Sequence, residues 1–289
     1  MIDLHTHLWP HEAGTTLPSY DELARTCEVA AGIGLDQIAI TEHCNRFEEI
    51  ADVALGLWRR EGSPDLRAAA EHVWEAERGA HLDDYVDLLV TAQDRGLPIL
   101  VGLEVDHLPG ANDAISDIVS AYPFDVLLGS VHWIGPWLFD AYGDDVFAAE
   151  WASRSVDDVW DAYVAAVEDL TNSGRIDVIA HVDVIKVAGY RPRDIAAFET
   201  RMSAAIAAGG VAVEVSSAGL RKPAAELYPS PSLLWRLCDA GVGFTTASDA
   251  HRPEQLGSGF SHVRAALVEH GVDHVSTFSH RRRRQVPLD

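Results

Sequence analysis

The sequence is poor in cysteine, in basic residues and in long apolar runs. Only 3 of the 289 residues are cysteines. Cys27, Cys44 and Cys238 show no CxxC spacing, which argues against a disulfide framework or a zinc finger. Lys and Arg total 22 against 45 Asp and Glu, giving a formal net charge of −23. Because such a surface repels phosphate backbones and anionic lipids, we expect neither long nucleic acid nor a membrane as partner.

Membrane and export signals are also missing. No run approaches the roughly 20 apolar residues of a membrane span. The N-terminal residues lack a basic region followed by an apolar one, so we expect no secretory signal and a cytoplasmic location. With 47% hydrophobic and 23% charged residues, the chain can build a large core, which excludes intrinsic disorder. The composition leaves the oligomeric state open.

Short apolar runs alternate with helical patterns along the whole chain. The predicted strands cover residues 2–4, 37–41, 99–104, 126–131, 177–180, 211–215 and 243–246. The predicted helices cover residues 20–31, 65–95 with a break near Gly79, 112–121, 156–171, 193–208, 232–239 and 261–270. Ser19 and Ser230-Pro231 are typical of helix starts. Because the apolar runs do not alternate with polar residues, they favour strands buried on both faces.

Seven β/α units without a flexible linker predict one domain over residues 1–289. They favour a TIM-like barrel, since one closed sheet with outer helices uses about 250 residues. An open doubly wound sheet is the alternative.

Polar residues that can bind metals follow six of the seven predicted strands. They occur in His5-Thr6-His7, Thr41-Glu42-His43, Gly102-Leu103-Glu104, Ser130-Val131-His132, Ala180-His181-Val182-Asp183 and Ser248-Asp249-Ala250-His251. In parallel α/β folds the C-terminal strand ends form the active-site rim. Any one of these histidines alone is more often a hydrogen-bonded core or loop residue. Together they predict a site for divalent zinc, manganese or iron.

Within this set, Glu104 suits a bridging role, because two carboxylate oxygens can hold two cations about 3.5–4 Å apart. The alternative is a buried structural carboxylate. The remaining histidines are interpreted as solvated residues on helices or in the tail, with His107 left undecided. The solvated set is His72, His81, His262, His270, His274 and His280.

In order and span, these motifs resemble those of the PHP (polymerase and histidinol phosphatase) superfamily. The resemblance implies a distorted seven-stranded (β/α)7 TIM-like barrel with two to three divalent metal ions. It implies one metal on His5, His7, Glu104 and Asp249, and a second on Glu104, His132 and His181. A third would lie on His43, His251 and a residue just past the HxH motif, with His11 preferred and Glu12 in reserve.

A second segment is similar to the "E-x-N-T-x-G-L-R-K…Y-P-S" stretch of the histidinol-phosphatase subgroup. It runs from Glu214-Val215-Ser216-Ser217-Ala218-Gly219-Leu220-Arg221-Lys222-Pro223 to Leu227-Tyr228-Pro229-Ser230, and Phe139-Asp140 fits the same subgroup. Ser216 stands where the subgroup generally has Asn. We interpret Ser216, Arg221 and Lys222 as substrate-binding, with the Arg221 fork on the phosphate. The alternative for Arg221 and Lys222 is a solvated basic pair, and the run Arg281-Arg282-Arg283-Arg284 is interpreted as a solvated terminal feature.

The resulting hypothesis is metal-dependent hydrolysis of a small phosphate monoester, with L-histidinol phosphate as the expected substrate. Arg221 would neutralise phosphate oxygens, and His251, Asp249 or water would protonate the leaving alkoxide. Asp106, Glu42 and Asp183 are candidate acceptors for the ammonium and imidazole groups of the substrate. The rival functions are a phosphodiesterase acting on nucleotides and a non-catalytic metal-binding module.

Overall fold

The fold centres on a seven-stranded parallel sheet, seen in a computed structural model that describes residues 1–11 and 15–288. The strands of these residues are β1 (Ile2–Thr6), β2 (Gln37–Ile40), β3 (Ile99–Asp106), β4 (Val126–Ser130), β5 (Trp133–Ile134), β6 (Trp137–Leu138), β7 (Val178–Ile179), β8 (Ala212–Ser216), β9 (Phe244–Ala247), β10 (His274–Ser279) and β11 (Arg282–Pro287). The helices are α1 (Tyr20–Gly32), α2 (Glu48–Ala54), α3 (Pro64–Glu77), α4 (Leu82–Asp94), α5 (Asn112–Val119), α6 (Asp145–Ser153), α7 (Val156–Asn172), α8 (Ile195–Gly209), α9 (Pro231–Asp239) and α10 (Phe260–Glu269).

The main sheet is ordered β1-β2-β3-β4-β7-β8-β9, with every neighbouring pair parallel. Its two edges meet beyond the strand ends, where Thr6 and Ala250 form a parallel bridge. The backbone N–H of His7 donates to the carbonyl of Ala250 at 2.8 Å. On the same seam, the hydroxyl of Thr246 donates to the carbonyl of Ile2. The sheet is therefore nearly closed, which confirms the predicted barrel and shows that the open-sheet alternative is wrong.

Two helices begin at the capping residues that the sequence predicted. Ser19 caps α1 in a reciprocal capping box with Glu22, and Ser230 caps α9. The predicted helix over residues 65–95 is two helices, α3 and α4. Gly79 lies in the break with φ of +143°, a conformation that glycine adopts without a steric penalty.

Four elements were absent from the predicted order: α2, α6, the β5–β6 hairpin and the β10–β11 hairpin. The arginine run, interpreted as a solvated terminal feature, lies partly in a strand that was not predicted, since Arg282, Arg283 and Arg284 belong to β11. Their side chains are nevertheless exposed. Arg281, just before the strand, pairs with Asp177 at 3.0 Å. The hairpin therefore holds the chain end against the barrel.

Among the described residues, no helix has the length and apolar content to cross a membrane. The histidines predicted to be solvated are exposed, apart from His270, which is partly buried. His107, left undecided, is buried beside Asn112, with its ring nitrogen Nε2 3.7 Å from Asp169.

Candidate metal centre

The C-terminal ends of the barrel strands bring the predicted ligands together around Glu104. One oxygen, Oε2, lies 2.7 Å from Nδ1 of His43 and 3.3 Å from Nε2 of His5. The other, Oε1, lies 3.1 Å from Nε2 of His181 and 3.6 Å from Nε2 of His132. Four imidazoles supplied by four different strand ends thus surround one carboxylate that is 1% exposed.

Asp249 and the remaining histidines extend the cluster to one side. Oδ1 of Asp249 lies 3.2 Å from Nε2 of His7 and 3.8 Å from Nε2 of His5. His43 and His251 bring their Nε2 atoms to 3.3 Å. Four groups place their ligand atoms within 4.8 Å of one another: His5 with His7 and Asp249, His5 with Glu104 and His181, His43 with Glu104 and His132, and His7 with His43 and His251.

Several buried atoms in this cluster lack a hydrogen-bond partner among the described residues. They include Nε2 of His5, Nε2 of His7 and Oε2 of Glu104. Unpaired polar atoms away from water are costly. These atoms face one another at 3.3–3.7 Å, and imidazole nitrogens with carboxylate oxygens are a donor set that divalent cations bind. The residues present therefore fit a bound metal cluster.

Two further carboxylates orient the ligands from behind. Oε2 of Glu214 accepts from Nδ1 of His5 at 2.7 Å, and Oδ1 of Asp106 accepts from Nδ1 of His132 at 2.6 Å. Each bond leaves Nε2 of the imidazole free to face the cluster, as carboxylate–histidine pairs do around bound metals. Sequence reasoning missed both roles. The only local signal was that Glu214 and Asp106 lie on strands beside the predicted ligands.

Glu42 organises the segment after β1. It is fully buried and accepts from the backbone N–H of Leu8 at 2.8 Å, while its Oε1 lies 3.3 Å from Nδ1 of His7. Burial opposes its charge, but the neighbouring imidazoles of His7 and His43 and the guanidinium of Arg46 lower the pKa of Glu42 to about 2.

The candidate acceptors of the substrate cation are occupied by protein groups. Asp106 binds His132, and Glu42 binds His7 and Leu8. Asp183 pairs with the buried Lys186 at 2.8 Å. All three are at most 5% exposed, so these three candidates are wrong.

The electrostatics of the cluster divide the histidines into two sets. Burial disfavours the charged form of each, but Asp249 and Glu42 raise the pKa of His7 to about 9, and Asp106 and Glu104 raise that of His132 to about 10. Burial and neighbouring imidazoles lower the pKa of His11 to about 4 and lower that of His251 as well. His11 and His251 are therefore neutral, which is the form that binds metal.

Two of the converging residues have left-handed backbones. His181 has φ of 23° and Asp249 has φ of 52°, values that cost a non-glycine residue free energy. The loop carrying Asp249 is held by Asp3, whose carboxylate accepts from the backbone N–H and the hydroxyl of Ser248 at 2.8 and 2.5 Å. These contacts hold the loop of Asp249 in the conformation that brings its carboxylate to the cluster.

The third predicted ligand group differs from the expectation. His11 does lie next to His251 and His43, with ring centroids 4.2 and 5.3 Å away. However, the close group around His43 and His251 is completed by His7. Glu12, the reserve ligand, lies outside the described residues.

A cavity of about 460 Å³ opens above the cluster. Its described lining residues include His11, His43, His132, His181, Asp249 and His251 from the cluster, together with Pro10, Asp140, Tyr142, Val184, Val187, Ala218, Arg221, Lys222, Tyr228, Arg252 and Gln255. Arg221 and Lys222 are thus at the cavity, as the sequence predicted. Ser216 is not among these residues: it is fully buried, and its hydroxyl accepts from the backbone N–H of Ala218 at 3.3 Å.

Sequence reasoning gave no role to Asp140, Tyr142 or Arg252, although all three line the cavity. Phe139-Asp140 fitted the subgroup pattern, and Arg252 directly follows His251. The place of Asp140 in that pattern and the position of Arg252 beside a predicted ligand were the available signals. Neither of them showed that the side chain would line the cavity.

The fold and the site together define a β/α-barrel enzyme with a metal-binding cluster at the C-terminal strand ends. The chain belongs to the PHP domain family, whose sequence profile matches residues 3–218. It is 33% identical over 186 residues to a protein of Deinococcus radiodurans named "probable histidinol-phosphatase", covering 64% of this chain and 70% of that one. Because the chain belongs to this family and is related to a protein named as a phosphatase, it is a phosphoric monoester hydrolase. The non-catalytic alternative is therefore wrong.

Solved structures share the fold. A histidinol phosphate phosphatase of Lactococcus lactis, crystallised with zinc, L-histidinol and phosphate, is similar with a TM-score of 0.72 and 19% identity over 98% of both chains. A Listeria monocytogenes protein assigned as a histidinol phosphatase gives a TM-score of 0.70 and 18% identity, over 91% of this chain and 99% of that one.

Proposed function

We propose that this protein hydrolyses L-histidinol phosphate to L-histidinol and phosphate, using two to three divalent ions of zinc, manganese or iron. The proposal includes a cytoplasmic role in histidine biosynthesis. The observation that carries it is the Glu104-centred cluster beneath a cavity whose wall contains Arg221. The Deinococcus relative supports the substrate by its name, and the Lactococcus structure supports it by the L-histidinol and phosphate that it contains.

The residues that would hold the ions are those grouped above around Glu104 and Asp249, with His11 beside His251. Bound divalent cations would supply an acidified water and positive charge opposite the phosphate oxygens. Glu104 and Asp249 offset this charge from below, since the nearby imidazoles hold the pKa values of both carboxyl groups well below their usual range against the effect of burial.

Arg221 would bind the phosphate from the side of the cavity. Its Nη2 donates to the carbonyls of Ser248 at 2.7 Å and Asp249 at 3.1 Å. These bonds fix the guanidinium beside Asp249. The Nε and Nη1 atoms have no partner among the described residues, so they remain available as donors to phosphate oxygens. Lys222 lines the same cavity and adds a point charge.

The leaving alkoxide needs a proton. Because the pKa of Asp249 is held well below its usual range, this carboxyl group is ionised and cannot donate one. The lowered pKa of His251 leaves its imidazole neutral as well, so water in the cavity is the donor that this charge pattern favours.

The test is a phosphate-release assay on protein loaded with zinc, manganese or iron. Its substrates are histidinol phosphate, p-nitrophenyl phosphate and bis-p-nitrophenyl phosphate. We expect histidinol phosphate to have the highest kcat/KM despite the better leaving group of the generic ester, because its imidazole and ammonium can orient the phosphate. Faster turnover of the generic monoester or the diester would reject histidinol phosphate as the substrate.

A further inference from the structure

Carboxylates in the cavity have contrasting surroundings. Of the described residues that line it, two carry carboxylates, Asp249 and Asp140. Asp249 belongs to the metal-binding cluster, with His5, His7 and His251 within 3.8 Å. Asp140 forms no ion pair or side-chain hydrogen bond with any residue in the described ranges.

This lack of a partner distinguishes Asp140 from the buried acidic residues nearby. Asp106 pairs with His132 at 2.6 Å, Asp183 with Lys186 at 2.8 Å, and Glu214 with His5 at 2.7 Å. Asp140 instead presents its charge to the cavity from a partly buried position. The charge of Asp140 contributes to the raised pKa of His132, but no described side chain forms an ion pair or a hydrogen bond with its carboxylate, so a cation that enters the cavity can bind there.

The backbone around Asp140 is held firmly beside the cluster. The N–H of Phe139 donates to the carbonyl of His132 at 3.2 Å, and the N–H of Ala141 donates to the carbonyl of Leu138 at 3.3 Å. Phe139 is fully buried and packs edge-on against Tyr163 with ring centroids 5.5 Å apart. Asp140 is therefore fixed one residue past a backbone contact to the cluster residue His132.

The cations that line the cavity follow other strands than Asp140 does, with Arg252 after β9. Arg221 and Lys222 follow β8, and Arg221 is tied to Ser248 and Asp249. The cavity can thus take a ligand with an anionic end at the cluster and Arg221 and a cationic end at Asp140. In histidinol phosphate, one carbon separates the ammonium-bearing carbon from the ester oxygen, so both charges lie in a small space.

We propose that Asp140 binds the ammonium group of the substrate and makes the enzyme selective for phosphate monoesters with a cation next to the ester carbon. This rests on the proposed function and deepens it by assigning a specificity-determining residue. Tyr142, Tyr228, Val184 and Val187 line the same cavity and offer aromatic and apolar surface to the imidazole ring.

The test compares histidinol phosphate with 3-(imidazol-4-yl)propyl phosphate, which lacks only the amine. We expect the wild-type enzyme to prefer histidinol phosphate by about 10- to 100-fold in kcat/KM, as for one hydrogen bond to a charged group. In Asp140→Asn this ratio should fall to within about threefold of one. Asp145→Asn removes an exposed carboxylate from the start of α6, five residues further on and outside the lining of the cavity, and should keep the wild-type ratio.

Two results would overturn the proposal. One is a wild-type enzyme that does not discriminate between the two esters. The other is an Asp140→Asn variant that keeps the wild-type ratio of kcat/KM for the two esters. This holds even if kcat/KM falls equally for both, because an equal loss would indicate a role in proton transfer or structure. Metal content of the variant, measured in parallel, checks that the neighbouring cluster is intact.

Failure of the proposed function would look different. If histidinol phosphate is not a substrate but another monoester is, the same ratio is measured with 2-aminoethyl phosphate and ethyl phosphate. A preference for the amine that disappears in Asp140→Asn would support the role of Asp140 while rejecting histidinol phosphate. No preference in the wild-type enzyme would reject both.

Discussion

The carboxylate of Glu214 accepts a hydrogen bond from Nδ1 of His5 at 2.7 Å, while Nε2 of the same imidazole lies 3.3 Å from Glu104. Glu214 thereby fixes which nitrogen of His5 faces the cluster. Both side chains are fully buried, so water cannot replace this contact if it is lost.

Glu214→Gln should weaken metal binding while the barrel stays folded. The amide no longer favours the required imidazole tautomer, and changing such a partner typically lowers metal affinity or activity 10- to 100-fold. Competition with a chromophoric chelator measures the affinity. An unchanged affinity would show that Glu214 only fills space.

Metal content tests the cluster directly. Purified protein should carry two to three equivalents of zinc, manganese or iron by elemental analysis. Chelation should abolish phosphate release, and adding the metal back should restore it. Full activity in EDTA, with no metal detected, would reject the metal centre.

Glu104→Gln should reduce both metal occupancy and turnover, because it removes the negative charge between four imidazoles. We expect a loss of kcat of at least 10- to 100-fold, the scale found even for partners outside the ligand set. Glu28→Gln, an exposed change on α1, is the matched control and should behave as wild type. A Glu104→Gln enzyme with normal turnover would make Glu104 a structural residue.

Arg221→Ala should lower kcat/KM for phosphate monoesters by about 30- to 1000-fold, or roughly 2–4 kcal/mol, the scale of one preorganised charge contact in a transition state. Metal content should be unchanged, because arginine is not a metal ligand. Arg221→Lys should recover only part of the loss, since a point charge cannot replace the fork. Arg264→Ala, on the exposed face of α10, controls for the loss of one surface arginine. Equal activity of Arg221→Ala and wild type would exclude phosphate binding by Arg221.

Gly209→Ala should destabilise the fold without touching the site. Gly209 ends α8, and a methyl group there would overlap the backbone carbonyl of Thr171 on α7. Overpacking of this kind costs about 1–3 kcal/mol, so Tm should fall. Gly32 ends α1, and a methyl group added there would have no atom within 4 Å. Gly32→Ala should therefore leave Tm unchanged or raise it. Equal Tm shifts would show that the α7–α8 contact yields to the extra methyl.

The sequence by itself determined the barrel and the position of its rim. Apolar runs and glycine punctuation are local signals, and parallel strands bring their C-terminal ends to one edge whatever their spacing along the chain. For this reason His5, Glu104, His132 and His181 could be predicted to converge. The β5–β6 and β10–β11 hairpins were not predicted, because two-residue strands and a strand of consecutive arginines carry no apolar pattern.

Only the tertiary structure decided which groups complete and surround the cluster. Glu214 lies 209 residues from the imidazole that it orients, and no local pattern reports a contact formed by closing the barrel. The same holds for Ser216, which the subgroup pattern placed at the substrate but which is fully buried away from the cavity. Asp140 was visible as a residue in a motif, yet its unpaired charge depends on what every neighbouring element supplies. Local periodicity fixes where the chain turns, whereas the partners of a side chain depend on residues that meet only in the folded barrel.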